Sequence, residues 1–103
     1  MSGTLQTLVG HSITKAVWVE DYIQIAFSDE IGISIYNDFR IDPRIDLSQL
    51  TGKILDRAYE DETNITFCFS GHVLLVVDLS PESSHGPEIM QMNRQGEPTV
   101  IWN

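Results

Sequence analysis

The sequence predicts an all-β fold with little helix, on three observations. Apolar and polar residues alternate with a period of two through Ile23, Ile25 and Phe27, and again through Ile65, Phe67 and Phe69, the pattern of a strand with one buried face. Short clusters of Asp, Glu, Ser, Gly and Asn interrupt these runs at hairpin spacing. The chain also matches itself without gaps at an offset of 42 residues: Leu8/Leu50, Gly10/Gly52, Ala16/Ala58, Glu20/Glu62, Ile23/Ile65, Phe27/Phe69 and Ser28/Ser70 are identical. The expected architecture is about eight strands in a curved antiparallel sheet or incomplete barrel. Two repeated three-stranded meanders and a C-terminal hairpin would build it.

The elements follow in order. In the first unit, 8–36, a strand around Ile13, Val17 and Val19 turns at Glu20-Asp21 into the alternating strand Ile23–Ser28. Ser28-Asp29-Glu30 then turns the chain into Ile31, Ile33 and Ile35. Residues 37–49 read as a loop or a single helical turn near Asp46–Leu50, because Pro43 removes a ladder donor. The second unit, 50–78, repeats the plan, with turns at Asp61-Glu62-Thr63-Asn64 and Ser70-Gly71. Its last strand, Val73–Val77, is apolar on both faces, which places it centrally or under a cover. A loop over 79–87 leads to a hairpin within 88–102, turning at Gln95-Gly96-Glu97. Residues 1–103 are read as a single domain.

Composition narrows the function. Hydrophobic residues make up 42% and charged residues 20%, a globular balance, and 15 acids against 6 bases leave a net charge of −9. That surplus argues against nucleic acid, whose phosphates need clustered Lys and Arg, and against anionic membrane surfaces. No window approaches the roughly 20 apolar residues of a membrane helix. Residues Met1–Gln6 lack the cationic start of a secretion signal. The one cysteine, Cys68, allows no intramolecular disulfide. These features read as a cytoplasmic protein.

Candidate chemistry is sparse. His11, His72 and His85 have no convergent spacing with one another, so no metal site and no cofactor is expected. Cys68 sits in a strand between Phe67 and Phe69, with no cation expected nearby, and its counterpart in the first unit is Ala26, which reads as a spacer. Ser83-Ser84-His85 lacks a nucleophile elbow. Paired carboxylates could serve acid–base chemistry, but they need a cleft that so small a core leaves little room for. The expectation is a protein without catalytic activity.

What remains is acidity carried on turns. Three groups stand out: Glu20 and Asp21; Asp38, Asp42 and Asp46; and Glu60, Asp61 and Glu62. Arg40 and Arg44 interrupt the middle group and could pair with Asp42 and Asp46. Trp18 and Tyr59 lie beside the acidic turns, and Tyr36 and Trp102 could face either way. Aromatics among carboxylates make a hot-spot mixture, so Trp18, Tyr59 and the eight acids form the candidate partner-binding set. Whether the two acidic turns meet at one end depends on how residues 37–49 cross.

In size, acidity, β-richness and lack of a catalytic motif, the whole chain resembles the small acidic immunity proteins that bacteria hold in the cytoplasm against toxic nucleases, including those of contact-dependent growth inhibition systems. The resemblance implies a one-to-one complex with a basic cognate toxin domain, a ribonuclease or deoxyribonuclease. It carries no residue assignment. Two other readings come from different classes: a structural module acting by homodimerisation or strand addition, and an enzyme or small-ligand binder using a concave face.

Overall fold

The computed structural model describes residues 3–80 and 88–102. Ser83, Ser84 and His85, weighed above, lie outside them. A short helix, α1 (Gly3–Gln6), precedes β1 (Ile13–Val19), β2 (Tyr22–Phe27), β3 (Ile31–Ile35) and β4 (Phe39–Asp42). After a single 3-10 turn over Leu47–Leu50 come β5 (Leu55–Glu60), β6 (Asn64–Phe69), β7 (Val73–Asp78), β8 (Met90–Arg94) and β9 (Val100–Trp102). The strands form two antiparallel sheets, ordered β1-β2-β3-β8-β9 and β4-β7-β6-β5.

The all-β class is as expected, and the anticipated curved antiparallel sheet or incomplete barrel of about eight strands is realised, among the described residues, as nine strands in two antiparallel sheets. The added strand is β4. Only Phe39 and Ile41 carry its alternation, a run too short to stand out beside Pro43, and its hydrogen-bonding partner β7 lies more than thirty residues away. The 3-10 turn falls where a helical turn was expected. Strand β7 is central, between β4 and β6, which explains its two apolar faces: Val73, Leu75 and Val77 are buried, and so is Val76. The inward rows Ile23, Ile25, Phe27 and Ile65, Phe67, Phe69 supply the shared core with Ile31, Ile33 and Ile35.

Positions 42 residues apart occupy matching places. The Gly10 N–H donates to the Leu55 carbonyl and the Gly52 N–H to the Ile13 carbonyl, both at 2.8 Å. The Ile13 N–H donates to the Lys53 carbonyl at 2.8 Å, and the Leu55 N–H to the His11 carbonyl at 3.0 Å. Such reciprocal contacts are the mark of a two-fold relation. Gly10 and Gly52 share the same left-handed backbone, with φ of 94° and 91°, a conformation open to glycine at little steric cost. Each meander has a bulge in its first strand, between Ile13 and Lys15 and between Leu55 and Arg57. Each is also completed by a strand from the other half: β4 follows β3 but pairs with β7, and β8 follows β7 but pairs with β3.

Two substitutions check this packing. Phe67 is fully buried, so Phe67→Ala is expected to cost about 3–5 kcal/mol, read as a lower urea midpoint at unchanged slope. A Cβ at Gly52 would meet nothing within 4 Å. Gly52→Ala is therefore expected to cost only its backbone strain, about 1–2 kcal/mol.

Candidate functional site

The connection from β3 to β4 is only Tyr36-Asn37-Asp38, so the end of one sheet is tied to the end of the other. Asn37 is the buried link, its Nδ2 donating to the Asp78 carbonyl at 2.8 Å. The Asp78 N–H donates to the Asp38 carbonyl at 2.9 Å, and the Leu79 N–H to the Thr63 carbonyl at 3.0 Å. On the first sheet the Tyr36 N–H donates to the Ile89 carbonyl and the Ile89 N–H to the Trp102 carbonyl. The Trp102 Nε1–H closes the circuit by donating to Glu60 Oε1 at 3.2 Å.

This circuit answers how residues 37–49 cross. The β1–β2 turn, with Glu20 and Asp21, and the β5–β6 turn, with Glu60, Asp61 and Glu62, lie at the same end of the molecule. Asp38 at the start of β4, Asp78 at the end of β7 and Glu88 before β8 join them. Among the described residues Arg40 is the only Lys or Arg near this end, close enough to help hold the Asp78 carboxyl charged. The other bases lie elsewhere: Lys15 and Arg57 along strands, and Lys53, Arg44 and Arg94 towards the opposite end. Charge that is spread evenly along the sequence is thus polarised by the fold.

Not every expected site residue gathers there. Asp42 ends β4 and Asp46 precedes the 3-10 turn, both pointing the chain away from the acidic end. The Asp46 N–H is instead engaged by Gln49 Oε1 at 2.9 Å. Among the described residues Arg40 and Arg44 form no ion pair with Asp42 or Asp46, so the expected local pairing is not made. Tyr59 is exposed, but the Arg57 guanidinium lies over its ring at 5.4 Å from the centroid. Trp18 is 60% exposed and leans across the seam between the sheets onto Phe39, ring centroids 5.6 Å apart.

Beside Trp18 a hollow of about 370 Å³ is lined by Asp21, Tyr36, Asn37, Asp38 and Phe39. Tyr36 is braced by Tyr22, centroids 4.9 Å apart. Aromatic faces rimmed by carboxylates suit a guanidinium or ammonium group. Asp78, Glu88, Tyr36 and Phe39 were not among the expected site residues. Their signal was positional: they flank strand ends whose pairing the sequence did not display.

The β5–β6 turn is ordered by one of its own carboxylates. Asp61 Oδ1 accepts from the Thr63 N–H and the Asn64 N–H, each at 2.8 Å, and from Thr63 Oγ1 at 3.0 Å. These bonds, the backbone one from Thr63 foremost, hold its pKa below the ordinary 3.8. Asp78 is lowered in the same way by the Ser80 N–H, which donates to its Oδ1 at 2.8 Å.

The other candidates lie away from the acidic end. His11 Nδ1 lies 3.0 Å from Ser28 Oγ and 3.5 Å from Asp29 Oδ2, and His72 stands exposed in the β6–β7 turn. Cys68 is half-buried on β6; pairing sets Arg57 opposite it, a neighbour hidden at the sequence level. Among the described residues no group of three His, Cys, Asp or Glu could hold a metal ion. Among them, too, no helix is long and apolar enough to cross a membrane. No protein-family model, curated protein or solved structure matches the chain.

The Asp61 turn offers a pH check. A carboxyl with a lowered folded pKa adds stability that is full above its unfolded value, 3.8, and is lost as pH falls through the folded value. Asp61→Asn cannot ionise, so its stability deficit relative to the native chain is expected to shrink with acid below pH 3.8. Urea denaturation at stepped pH measures this; a deficit constant into acid would contradict it.

Proposed function

We propose that this chain is a non-catalytic binding protein that neutralises a basic protein partner, a cognate toxin nuclease domain, by covering its substrate-binding cleft with the acidic end. The carrying observation is the gathering of both acidic turns, with Asp38, Asp78 and the exposed Trp18, at one end of the sandwich. A nuclease cleft is basic because it binds phosphates. Carboxylates held in fixed turns offer the same charge pattern without a scissile bond. Long-range attraction speeds encounter, with association reaching about 10⁸–10⁹ M⁻¹s⁻¹ at low salt. Aromatic residues and carboxylates in the hollow beside Trp18 then provide the desolvated anchor that sets the lifetime of the complex. The same role puts the protein in the cytoplasm, where the inhibitor would meet an incoming toxin.

Gene context and co-expression test this together. The gene immediately upstream is expected to encode a long secreted protein with a basic C-terminal domain. Producing that domain in bacteria should arrest growth, and co-producing this chain should restore it. Glu20→Lys, Asp21→Lys, Glu60→Lys and Glu62→Lys in combination should slow association about tenfold at low salt, with a flatter salt dependence. A neighbourhood of unrelated metabolic genes, or a domain whose toxicity this chain does not relieve, would overturn the reading.

A further inference from the structure

The internal repeat supplies its own control for the end where the acidic turns gather. Trp18 pairs with Ile23 as Glu60 pairs with Ile65. Tyr22 opens β2 and Tyr36 follows β3, as Asn64 opens β6 and Asp78 closes β7. At each of these places the first half carries an aromatic ring and the second a polar or charged side chain: Trp18/Glu60, Tyr22/Asn64 and Tyr36/Asp78. The fold accepts Glu, Asn and Asp in these settings, so its backbone does not require the rings. What sets the rings apart is the hollow they border.

Trp18, Tyr36 and Phe39 wall that hollow of about 370 Å³, and Asp21 and Asp38 stand in it with exposed side chains. Trp18 keeps 60% of its surface open although it leans on Phe39. Tyr36 is held by Tyr22, so two of the three ring walls rest on other rings before any ligand arrives. A preformed wall spares the ordering cost of binding. Among the described residues none that lines the hollow is basic. Elsewhere the chain makes the contact that such a site would offer: the Arg57 guanidinium lies over the Tyr59 ring, 5.4 Å from its centroid.

We infer that the hollow is a pocket for one arginine side chain of the partner, an assignment that rests on the proposed binding of a basic protein. The guanidinium plane lies against the Trp18 and Tyr36 rings, and its N–H groups donate to the carboxylates of Asp21 and Asp38. Carboxylates alone would attract lysine as well as arginine. The rings decide between them: a guanidinium is planar, stacks on aromatic faces and is weakly hydrated, whereas an ammonium is a compact, strongly hydrated point charge. Its fork of donors can also serve two carboxylates at once. The acidic end therefore has two parts. The Glu60-Asp61-Glu62 turn contributes long-range attraction, and the aromatic half reads a particular side chain.

The probe is N-acetyl-arginine methylamide, titrated to about 100 mM at constant ionic strength into the isotope-labelled full chain. Amide chemical shifts of residues 19–22 and 36–39 are followed by NMR. They should move saturably with a Kd on the order of 10 mM. The lysine analogue should bind at least about threefold more weakly, and the uncharged citrulline analogue should not saturate. Trp18→Glu is the decisive variant, because it installs the residue of the equivalent place in the second half and adds negative charge. It should weaken arginine binding about fivefold or more, where undirected acidity would strengthen it. Asp21→Asn should weaken it about threefold. Trp18 and Asp21 are both exposed, and circular dichroism checks that each variant is folded. Shifts that do not saturate with the arginine probe, equal affinity for the lysine analogue, or a Trp18→Glu chain that binds as tightly as the native one would each overturn the inference. No toxin enters this titration, so the two readings fail separately. A chain that relieves toxicity yet ignores the arginine probe ends this inference alone; one that captures arginine selectively yet relieves no toxicity ends only the proposed neutralisation.

Discussion

Everything in this molecule depends on one short reciprocal ladder where the two halves meet. Gly10, His11 and Ile13 exchange backbone hydrogen bonds with Gly52, Lys53 and Leu55, and Ser12 bridges Ile54. These bonds fix the first strand of one meander against the first strand of the other before any side chain is considered. The buried pair Leu8 and Leu50, each just ahead of its left-handed glycine, seals the same region with apolar surface. From that junction the meanders diverge as two sheets, and the space between them is filled by isoleucine and phenylalanine rows of matching length. The equivalent use of glycine on both sides is demanded by backbone geometry and not by side-chain contacts, since a Cβ at either would meet nothing.

The polarity of the surface follows from connectivity. With three residues between β3 and β4, the chain cannot travel to the far end of the sandwich before starting the second sheet. Both first-to-second-strand turns are thereby held at one end, and both carry acid. Crowding carboxylates in this way opposes compaction through like-charge repulsion. The fold tolerates it because the groups are solvated and because Asp61 and Asp78 draw their charge into backbone hydrogen bonds. An end that repels itself is poor for stability and well suited to meeting a cation.

Much of this was legible in the amino-acid sequence, and the rest was hidden for physical reasons. The rows Ile23–Phe27 and Ile65–Phe69 declare themselves by period, and the two-faced apolar run Val73–Val77 declares a central strand. Strand β4 does not, because four residues ending at a proline have no periodicity to read, and its pairing comes from a distant β7. The division into two sheets was equally invisible: alternation reports that a face is buried, not which sheet buries it. Among the site residues, Glu20, Asp21, Glu60, Asp61 and Glu62 were readable as turn acids, and Trp18 as an aromatic beside them. Their convergence was not readable, because it rests on the burial of Asn37 and on β4 and β8 crossing between halves. Asp42 and Asp46, grouped with Asp38 by sequence proximity, are separated from it by the length of a strand.

The exchange of fourth strands also governs how the chain can mature during synthesis. A nascent chain that has displayed β1 to β3 holds a meander whose β3 edge, rich in Ile31, Ile33 and Ile35, waits for residues 90–94. Strand β4 is available early but has no partner until β7 emerges. Neither sheet can therefore close on its own half, and the apolar β3 edge stays open until residues 90–94 have been made. Completing either sheet waits on a long-range pairing, the kind of contact that forms slowly. The interval before it is the stretch in which this protein most needs shielding from its neighbours.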